Sequence, residues 1–150
     1  MNVAYFIKPK SEVGYIYDDC TLRQGLERLK RSGYAALPVV TRENRYVGTV
    51  SEGDFLWYLI RTEQEDKAPL KSVPIRSTEE AVVRDVLRFD RNPPVRITAD
   101  IDTLVACAMN QNFIPVVDDL GSFIGIVTRR DIIRHFYEGE TKPIRKSEYA

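Results

Sequence analysis

The pattern of apolar and polar positions divides the chain into two similar series of short elements. In the first series, apolar runs of strand length alternate with stretches in which leucines recur at helical spacing. The predicted elements are strands at Val13–Ile16, Leu37–Val40 and Tyr46–Val50, a helix after Thr21 and a second helix after Ser51. Thr21 and Gln24 have the spacing of a capping box, and Gly33 stands where the first helix is expected to end.

The second series has the same order of elements. The predicted elements are strands at Val95–Ile97, Ile114–Val117 and Phe123–Val127, a helix with an apolar stripe from Ile101 to Ala108, and a final helix after Thr128. Both series are therefore predicted to be β-α-β-β-α units.

An exact offset relates the two units. Pro38 and Pro115 are 77 positions apart (115 − 38), and the pairs Gly48/Gly125 and Asp54/Asp131 share this separation. Each unit leaves an apolar sheet face that it cannot bury alone. We therefore predict an α/β (α+β) fold in which two repeats pack about a pseudo-twofold axis.

The expected boundaries are a first repeat at 1–66, a polar linker at 67–78, a second repeat at 79–140 and a C-terminal tail at 141–150. A short helix from Thr78 to Leu87, opened by a capping box at Ser77 and Glu80, is predicted ahead of the second repeat. The segment VAYFIK near the start of the chain is its expected counterpart.

Each repeat also places a hydroxyl residue three positions before an aspartate, at Ser51/Asp54 and Thr128/Asp131. The simplest interpretation is a helix capping box without further function. The alternative follows from the context, because a strand that leads into a helix N-terminus directs free N–H groups at one point and favours anions. In the second motif, Thr128 could then donate to a phosphate, and Asp131 could accept from the two hydroxyls of a ribose.

The two motifs share their hydroxyl and aspartate ends but differ in charge at the two positions between them. The first has Glu52 and Gly53 where the second has Arg129 and Arg130. A glutamate repels a nearby phosphate and an arginine attracts it. We therefore expect the Thr128–Asp131 cleft to bind the anionic part of a ligand, and the Ser51–Asp54 cleft to be empty or to take a less charged nucleoside. Arg129→Ala should weaken binding far more than Glu52→Ala.

The composition narrows the range of functions. The 150 residues include 22 Lys+Arg and 22 Asp+Glu, which argues against a general nucleic-acid binder. No apolar run is long enough to span a membrane, and no secretory signal follows Met1. Cys20 and Cys107 are isolated, as expected of reduced thiols in a cytoplasmic protein. With a single histidine and no evident nucleophile, metal cluster or required cofactor, an enzyme is the least favoured hypothesis.

The segments LPVV…VGTVSEGD and IPVV…IGIVTRRD resemble two tandem repeats of the CBS-domain family, a pair called a Bateman module. The resemblance implies that adenosine-containing ligands lie in clefts between the repeats. It assigns ribose to Asp54 and Asp131, and phosphate to Ser51 and to Thr128 with Arg129. The residues that it places beside the adenine are Tyr34, Ala36, Phe113 and Ile114. It also implies dimers shaped like flat discs.

Within this family, the stretches GYAALPV, FIGIVTRRD and EVGYI resemble small bacterial receptors of cyclic di-AMP. The last stretch adds Val13 and Gly14 to the candidate binding residues, alongside Arg130. Those receptors have a basic residue near the first strand, where this chain has Glu12.

The leading hypothesis is a non-catalytic regulatory module. It would bind AMP, ADP, ATP or cyclic di-AMP between its repeats, form a homodimer and signal to a partner protein. The alternative is a dimerisation or scaffold module whose clefts bind nothing.

Overall fold

The computed structural model describes residues 3–65, 81–87 and 91–140. Over these residues the chain forms the two predicted β-α-β-β-α units. The first consists of β2 (Ile16–Tyr17), α1 (Leu22–Ser32), β3 (Ala36–Val40), β4 (Tyr46–Ser51) and α2 (Glu52–Glu65). The second consists of β5 (Val95–Arg96), α3 (Ile101–Ala108), β6 (Phe113–Val117), β7 (Phe123–Thr128) and α4 (Arg129–Glu140). A further strand, β1 (Lys8–Pro9), precedes both units.

The first helix begins and ends as its sequence predicts. Thr21 Oγ1 accepts from the backbone N–H of Gln24 at 3.1 Å, and Gln24 Oε1 accepts from the N–H of Thr21 at 3.0 Å. This reciprocal pair satisfies two of the four N–H groups that a helix start leaves without an internal partner. Gly33 follows the helix with a left-handed backbone (φ 74°), which favours glycine because it has no Cβ.

The sheets repeat the same pairing in both units. In each, the first strand runs parallel to the second and the second antiparallel to the third, with Val39 opposite Gly48 and Val116 opposite Gly125. The two repeats are thus related by the predicted pseudo-twofold axis. The second sheet gains a fourth strand, because β1 pairs antiparallel with β7.

The first strand of each unit is shorter than predicted. The prediction of Val13–Ile16 was wrong at its start, because Lys10–Glu12 form a 3₁₀ turn and the N–H of Val13 bonds to the carbonyl of Lys10 at 3.2 Å. Pairing with β3 therefore begins only at Ile16. Val13 and Gly14 are left in a loop ahead of the strand.

Segments ahead of each repeat complete the core of the other. Val3 and Phe6 are buried in the core of the second unit, whereas Val83 and Val86 are buried in that of the first. This exchange connects the two halves through apolar burial. The expected correspondence of VAYFIK with the second segment is confirmed, since Val3–Tyr5 and Val83–Asp85 both form 3₁₀ turns.

The helix predicted at Thr78–Leu87 is not an α-helix where it is described. Its start and the capping box at Ser77 and Glu80 lie outside the described residues. Within 81–87 the helical part is the 3₁₀ turn Val83–Asp85, and the residue before it, Val82, donates its N–H to Asp85 Oδ2 at 3.0 Å. The predicted linker at 67–78 and tail at 141–150 also lie outside the described residues. Among the described helices, none has the length and apolarity that crossing a membrane requires.

Candidate functional site

A cavity of about 190 Å³ opens between the two repeats, where β3 and β6 begin. Both units and the segment around β1 contribute to its wall. The lining residues are Lys8, Glu12, Val13, Gly14, Tyr34, Ala36, Leu37, Pro38, Asn112, Phe113, Ile126 and Thr128. Six of the twelve candidate residues from the sequence are therefore brought together here: Val13, Gly14, Tyr34, Ala36, Phe113 and Thr128.

The strands and helices that form the cavity are fixed by matching backbone hydrogen bonds. The N–H of Glu52, at the start of α2, bonds to the carbonyl of Ala35 at 3.0 Å. In the second unit, the N–H of Arg129 bonds to the carbonyl of Asn112 at 2.9 Å. Each closing helix is thereby tied to the loop before the middle strand of its own sheet.

Thr128 and Asp131 stand at the cavity edge that the second unit provides. Thr128 Oγ1 accepts from the backbone N–H of Asp131 at 3.1 Å, as a helix cap does. The Asp131 carboxylate is directed instead to Lys8, with Oδ2 3.7 Å from Nζ. The Asp131 side chain is 21% exposed and that of Lys8 is 49% exposed, so water and a ligand can reach both.

Lys8 is a candidate binding residue that the sequence did not suggest. It enters the cavity because β1 lies beside β7, with Lys8 opposite Ile126 and Pro9 opposite Gly125. A Cβ at position 125 would collide with the Lys8 carbonyl oxygen, so only glycine permits this close approach of the two strands. The glycine was visible in the sequence, but its partner strand has only two residues and no alternating pattern.

Arg129 does not line the cavity, although the sequence assigned phosphate to it. Its Nε donates to the carbonyl of Ala108 at 2.7 Å, and its side chain borders a separate surface groove with Val105 and Met109. The physical reason is that α3 ends at Ala108 and leaves carbonyls without a helical partner. A guanidinium satisfies one of them favourably at the negative end of the helix.

Arg130 and Ile114 also lie away from the cavity wall. Arg130 is exposed on the first turn of α4. Ile114 is fully buried in the core of the second unit, beside Val116 and Val127. Side chains alternate along a strand, so Phe113 faces the cavity while its neighbour Ile114 faces the core.

The Ser51–Asp54 motif is engaged within the protein. The N–H of Ser51 donates to Asp54 Oδ2 at 2.8 Å and the N–H of Asp54 donates to Ser51 Oγ at 3.3 Å, which makes a complete capping box. Arg91 Nη1 then donates to Ser51 Oγ at 3.1 Å and to both Asp54 oxygens at 3.1 and 3.2 Å. The Asp54 side chain is only 4% exposed.

One tyrosine near this motif has a strongly shifted acidity. Burial raises the pKa of Tyr46 to about 12, although its hydrogen bond to Thr49 acts in the opposite direction. The Tyr46 hydroxyl lies 2.8 Å from Thr49 Oγ1 and donates to the carbonyl of Asn92 at 2.8 Å.

In the described part of the chain, acidic, cysteine and histidine side chains form no group suited to a metal ion.

The chain is similar to known proteins over most of its length, both in sequence and in fold. The family model described as CBS domain matches residues 6–61 and 83–138. An uncharacterised protein of Methanocaldococcus jannaschii is 27% identical over 141 residues, with 79% of this chain and 82% of the relative covered. The A-adding tRNA nucleotidyltransferase of Aquifex aeolicus is 32% identical over 117 residues, but the match spans 76% of this chain and only 12% of that enzyme.

Several solved structures match nearly the whole chain. CbpB of Listeria monocytogenes in complex with c-di-AMP is 22% identical, covers 92% of this chain and 96% of its own, and has a TM-score of 0.78. CBSX2 in complex with AMP is 25% identical, covers 93% and 98%, and has a TM-score of 0.71. A structure of CBSX2 from Arabidopsis thaliana matches similarly, with a TM-score of 0.72.

Proposed function

Because the chain belongs to the CBS-domain family, with two tandem repeats, we propose that it is a regulatory module that binds an adenosine-containing nucleotide. The ligand would lie in the cavity between the repeats, and binding would be communicated to a partner protein. The observation that carries the proposal is the cavity itself, in which an aromatic wall, a hydroxyl, an ammonium group and a nearby carboxylate meet. AMP and c-di-AMP, the ligands of CBSX2 and CbpB, give the proposal its ligand class.

Each part of a nucleotide finds a matching group here. Phe113 and Tyr34 offer ring surfaces to the adenine. Thr128 Oγ1 and Lys8 Nζ are the groups proposed for the phosphate, and Asp131 for the ribose hydroxyls. Lys8 thus takes the role that the sequence gave to Arg129. A nucleotide phosphate near Lys8 would also make a charge-assisted hydrogen bond, which is stronger than a neutral one.

The charges in the cavity favour a mononucleotide over a cyclic dinucleotide. The cavity wall includes one cation, Lys8, and one anion, Glu12. The single phosphate of a mononucleotide can be placed near Lys8 alone, whereas the two phosphates of a cyclic dinucleotide are held apart, so one of them lies farther from Lys8 in a wall whose other charge repels it.

The segment that carries Lys8 offers a route from ligand to partner. Glu12, Val13 and Gly14 form a wall of the cavity, and the same segment begins with Val3 and Phe6 in the core of the second repeat. A nucleotide held by Lys8 would fix this wall in one position. The ordered surface is what we propose an effector protein recognises, by selection of the bound conformation.

The exposed apolar residues of the closing helices support a homodimer. Leu56 and Trp57 on α2, and Ile133, Phe136 and Tyr137 on α4, are all more than half exposed. Large apolar patches on a protein surface mark interaction sites. We propose a homodimer through these helices. The same exposed residues favour the second candidate function, a scaffold that binds no nucleotide. The isolated thiols of Cys20 and Cys107 fit a cytoplasmic location.

A nucleotide panel separates the two functions. AMP, ADP, ATP, S-adenosylmethionine and cyclic di-AMP would be added to the purified protein, and the free energy of unfolding measured for each. A ligand at 100 times its Kd should stabilise the protein by about 2.7 kcal/mol. Mass spectrometry of small molecules that copurify would identify a tightly held ligand. If no member of the panel stabilises the protein and nothing copurifies, the scaffold function is the better account.

A further inference from the structure

The two clefts can be compared residue by residue, because the strand register aligns the repeats. Ile16 pairs with Val39 and Val95 pairs with Val116, and Val39 and Val116 are equivalent by the offset of 77. Ile16 is therefore equivalent to Val95. Four residues before each of them stand Glu12 and Arg91, which occupy equivalent places with opposite charge.

At the cleft beside Thr128 and Asp131, the segment before β2 lines an open cavity. Glu12, Val13 and Gly14 all belong to the cavity wall, and Tyr34 faces them from the loop before β3. The nearby Asp131 carboxylate retains 21% exposure.

At the cleft beside Ser51 and Asp54, the equivalent segment is 91–93, before β5, and three hydrogen-bonded contacts hold it. Arg91 binds Ser51 and Asp54, as described above. The carbonyl of Asn92 accepts from the Tyr46 hydroxyl at 2.8 Å, and the carbonyl of Pro93 accepts from Gln111 Nε2 at 3.3 Å. Arg91 and Asn92 therefore have partners in the first repeat, and Pro93 is held within its own repeat.

The residues that make these contacts differ at the equivalent positions of the other repeat. The counterpart of Tyr46 is Phe123, which has no hydroxyl, and the counterpart of Gln111 is Tyr34, which lines the cavity. The closure thus depends on side-chain groups that the equivalent positions of the other repeat do not have. A helix-capping role alone accounts for Ser51 and Asp54, but not for Arg91, Tyr46 and Gln111 together.

We propose that the Arg91 side chain permanently occupies the Ser51–Asp54 cleft. The chain then has one cleft that can bind a nucleotide, a number that rests on the proposed function. The guanidinium donates to the same hydroxyl and carboxylate that a nucleotide would use. Because Arg91 is part of the chain, it is present at the cleft at every ligand concentration. A nucleotide can enter this cleft only after Arg91 leaves it.

The first test counts bound AMP per chain by isothermal titration calorimetry. Wild type should bind one molecule, and Arg91→Ala should bind two. Arg84→Ala is the matched control, because Arg84 also joins the segment before the second repeat to a carboxylate of the first, Asp18, at 3.1 Å. The control should bind one molecule. A count of one for folded Arg91→Ala, or of two for wild type, overturns the inference while leaving nucleotide binding intact.

A second test needs no nucleotide. In a variant with Cys20 and Cys107 replaced by serine, Ser51→Cys would report access to the cleft through its rate of reaction with a thiol reagent. Removing Arg91 should raise this rate at least tenfold, and removing Arg84 should leave it unchanged. An unchanged rate without Arg91 contradicts the closure. If circular dichroism shows that Arg91→Ala does not fold, Arg91→Met, which keeps an apolar stem but cannot donate to Ser51 or Asp54, replaces it in both tests. Failure of AMP to bind any variant counts against the proposed function, and the labelling rate then decides the closure by itself.

Discussion

The ends of β4 and β7 have matching backbone hydrogen bonds, but the aspartates that follow them have different surroundings. Both strands lead into a closing helix whose first N–H bonds to the loop before the middle strand. At the end of β4, the Asp54 carboxylate is sealed beneath Arg91, whereas at the end of β7 the Asp131 carboxylate faces a half-exposed lysine beside a cavity. The comparison teaches that two copies of one motif can have different surroundings, and that Arg91 and Lys8, which lie outside the motif, decide whether its aspartate is sealed or accessible.

The largest effect is expected from removing the arginine at the closed end. Arg91→Ala leaves a 4% exposed carboxylate without this partner, and we expect the free energy of unfolding to fall by about 3 kcal/mol. Urea denaturation measures the change. Arg84→Ala should cost less, about 1 to 2 kcal/mol, because Arg84 is 56% exposed although its partner Asp18 is only 10% exposed. Equal losses in the two variants would mean that Arg91 is not specially placed.

At the open end, the next effect concerns affinity. Lys8→Gln should weaken AMP binding about tenfold, equivalent to about 1.4 kcal/mol, because a charge-assisted hydrogen bond to phosphate is lost from a half-exposed site. Calorimetric titration measures it. Arg129→Ala serves as the comparison: it should lower stability, through the lost bond to the Ala108 carbonyl, and change the affinity less than threefold. A larger loss of affinity in Arg129→Ala would restore the role that the sequence suggested for it.

The smallest effect is a pH dependence at the closed end. The pKa of Tyr46 is raised to about 12, above the value of about 10 for an unfolded tyrosine. The unfolded state therefore ionises first, so the contribution of Tyr46 is complete below pH 10 and is lost as the pH rises from 10 to 12. Between pH 9 and pH 11 the loss should be about 1.3 kcal/mol. Urea denaturation of wild type and Tyr46→Phe isolates it: the phenylalanine variant should lose less, and parallel losses would refute the assignment.

Most of the fold was predictable because it depends on local patterns. The alternation of apolar residues, the cap at Thr21 and the left-handed Gly33 act over a few positions, and each was found where expected. The short strands were less predictable. β1 has two residues, and its pairing with β7 depends on a glycine more than a hundred positions away, at 125.

Only part of the candidate site was predictable, because some of its residues are close in sequence and others are distant. The motif residues could be found from their spacing, since Thr128 and Asp131 share one helix turn. The partners of these residues could not. Arg91 reaches Asp54 across 37 positions, and Lys8 reaches Asp131 across 123, so no periodicity links them. The sequence predicted unequal clefts from Glu52 and Arg129, but the pair of residues that differs at the clefts, Glu12 and Arg91, can be aligned only through the strand register of the structure.

The central claim is that one cleft binds a nucleotide while Arg91 occupies the other. A crystal structure of the protein grown with AMP tests it most directly. The account predicts AMP in the cavity, with its phosphate within hydrogen-bond distance of Lys8 Nζ and Thr128 Oγ1, and with Arg91 still bound to Asp54. AMP at the Ser51–Asp54 end with Arg91 displaced, or a phosphate bound by Arg129, would contradict it.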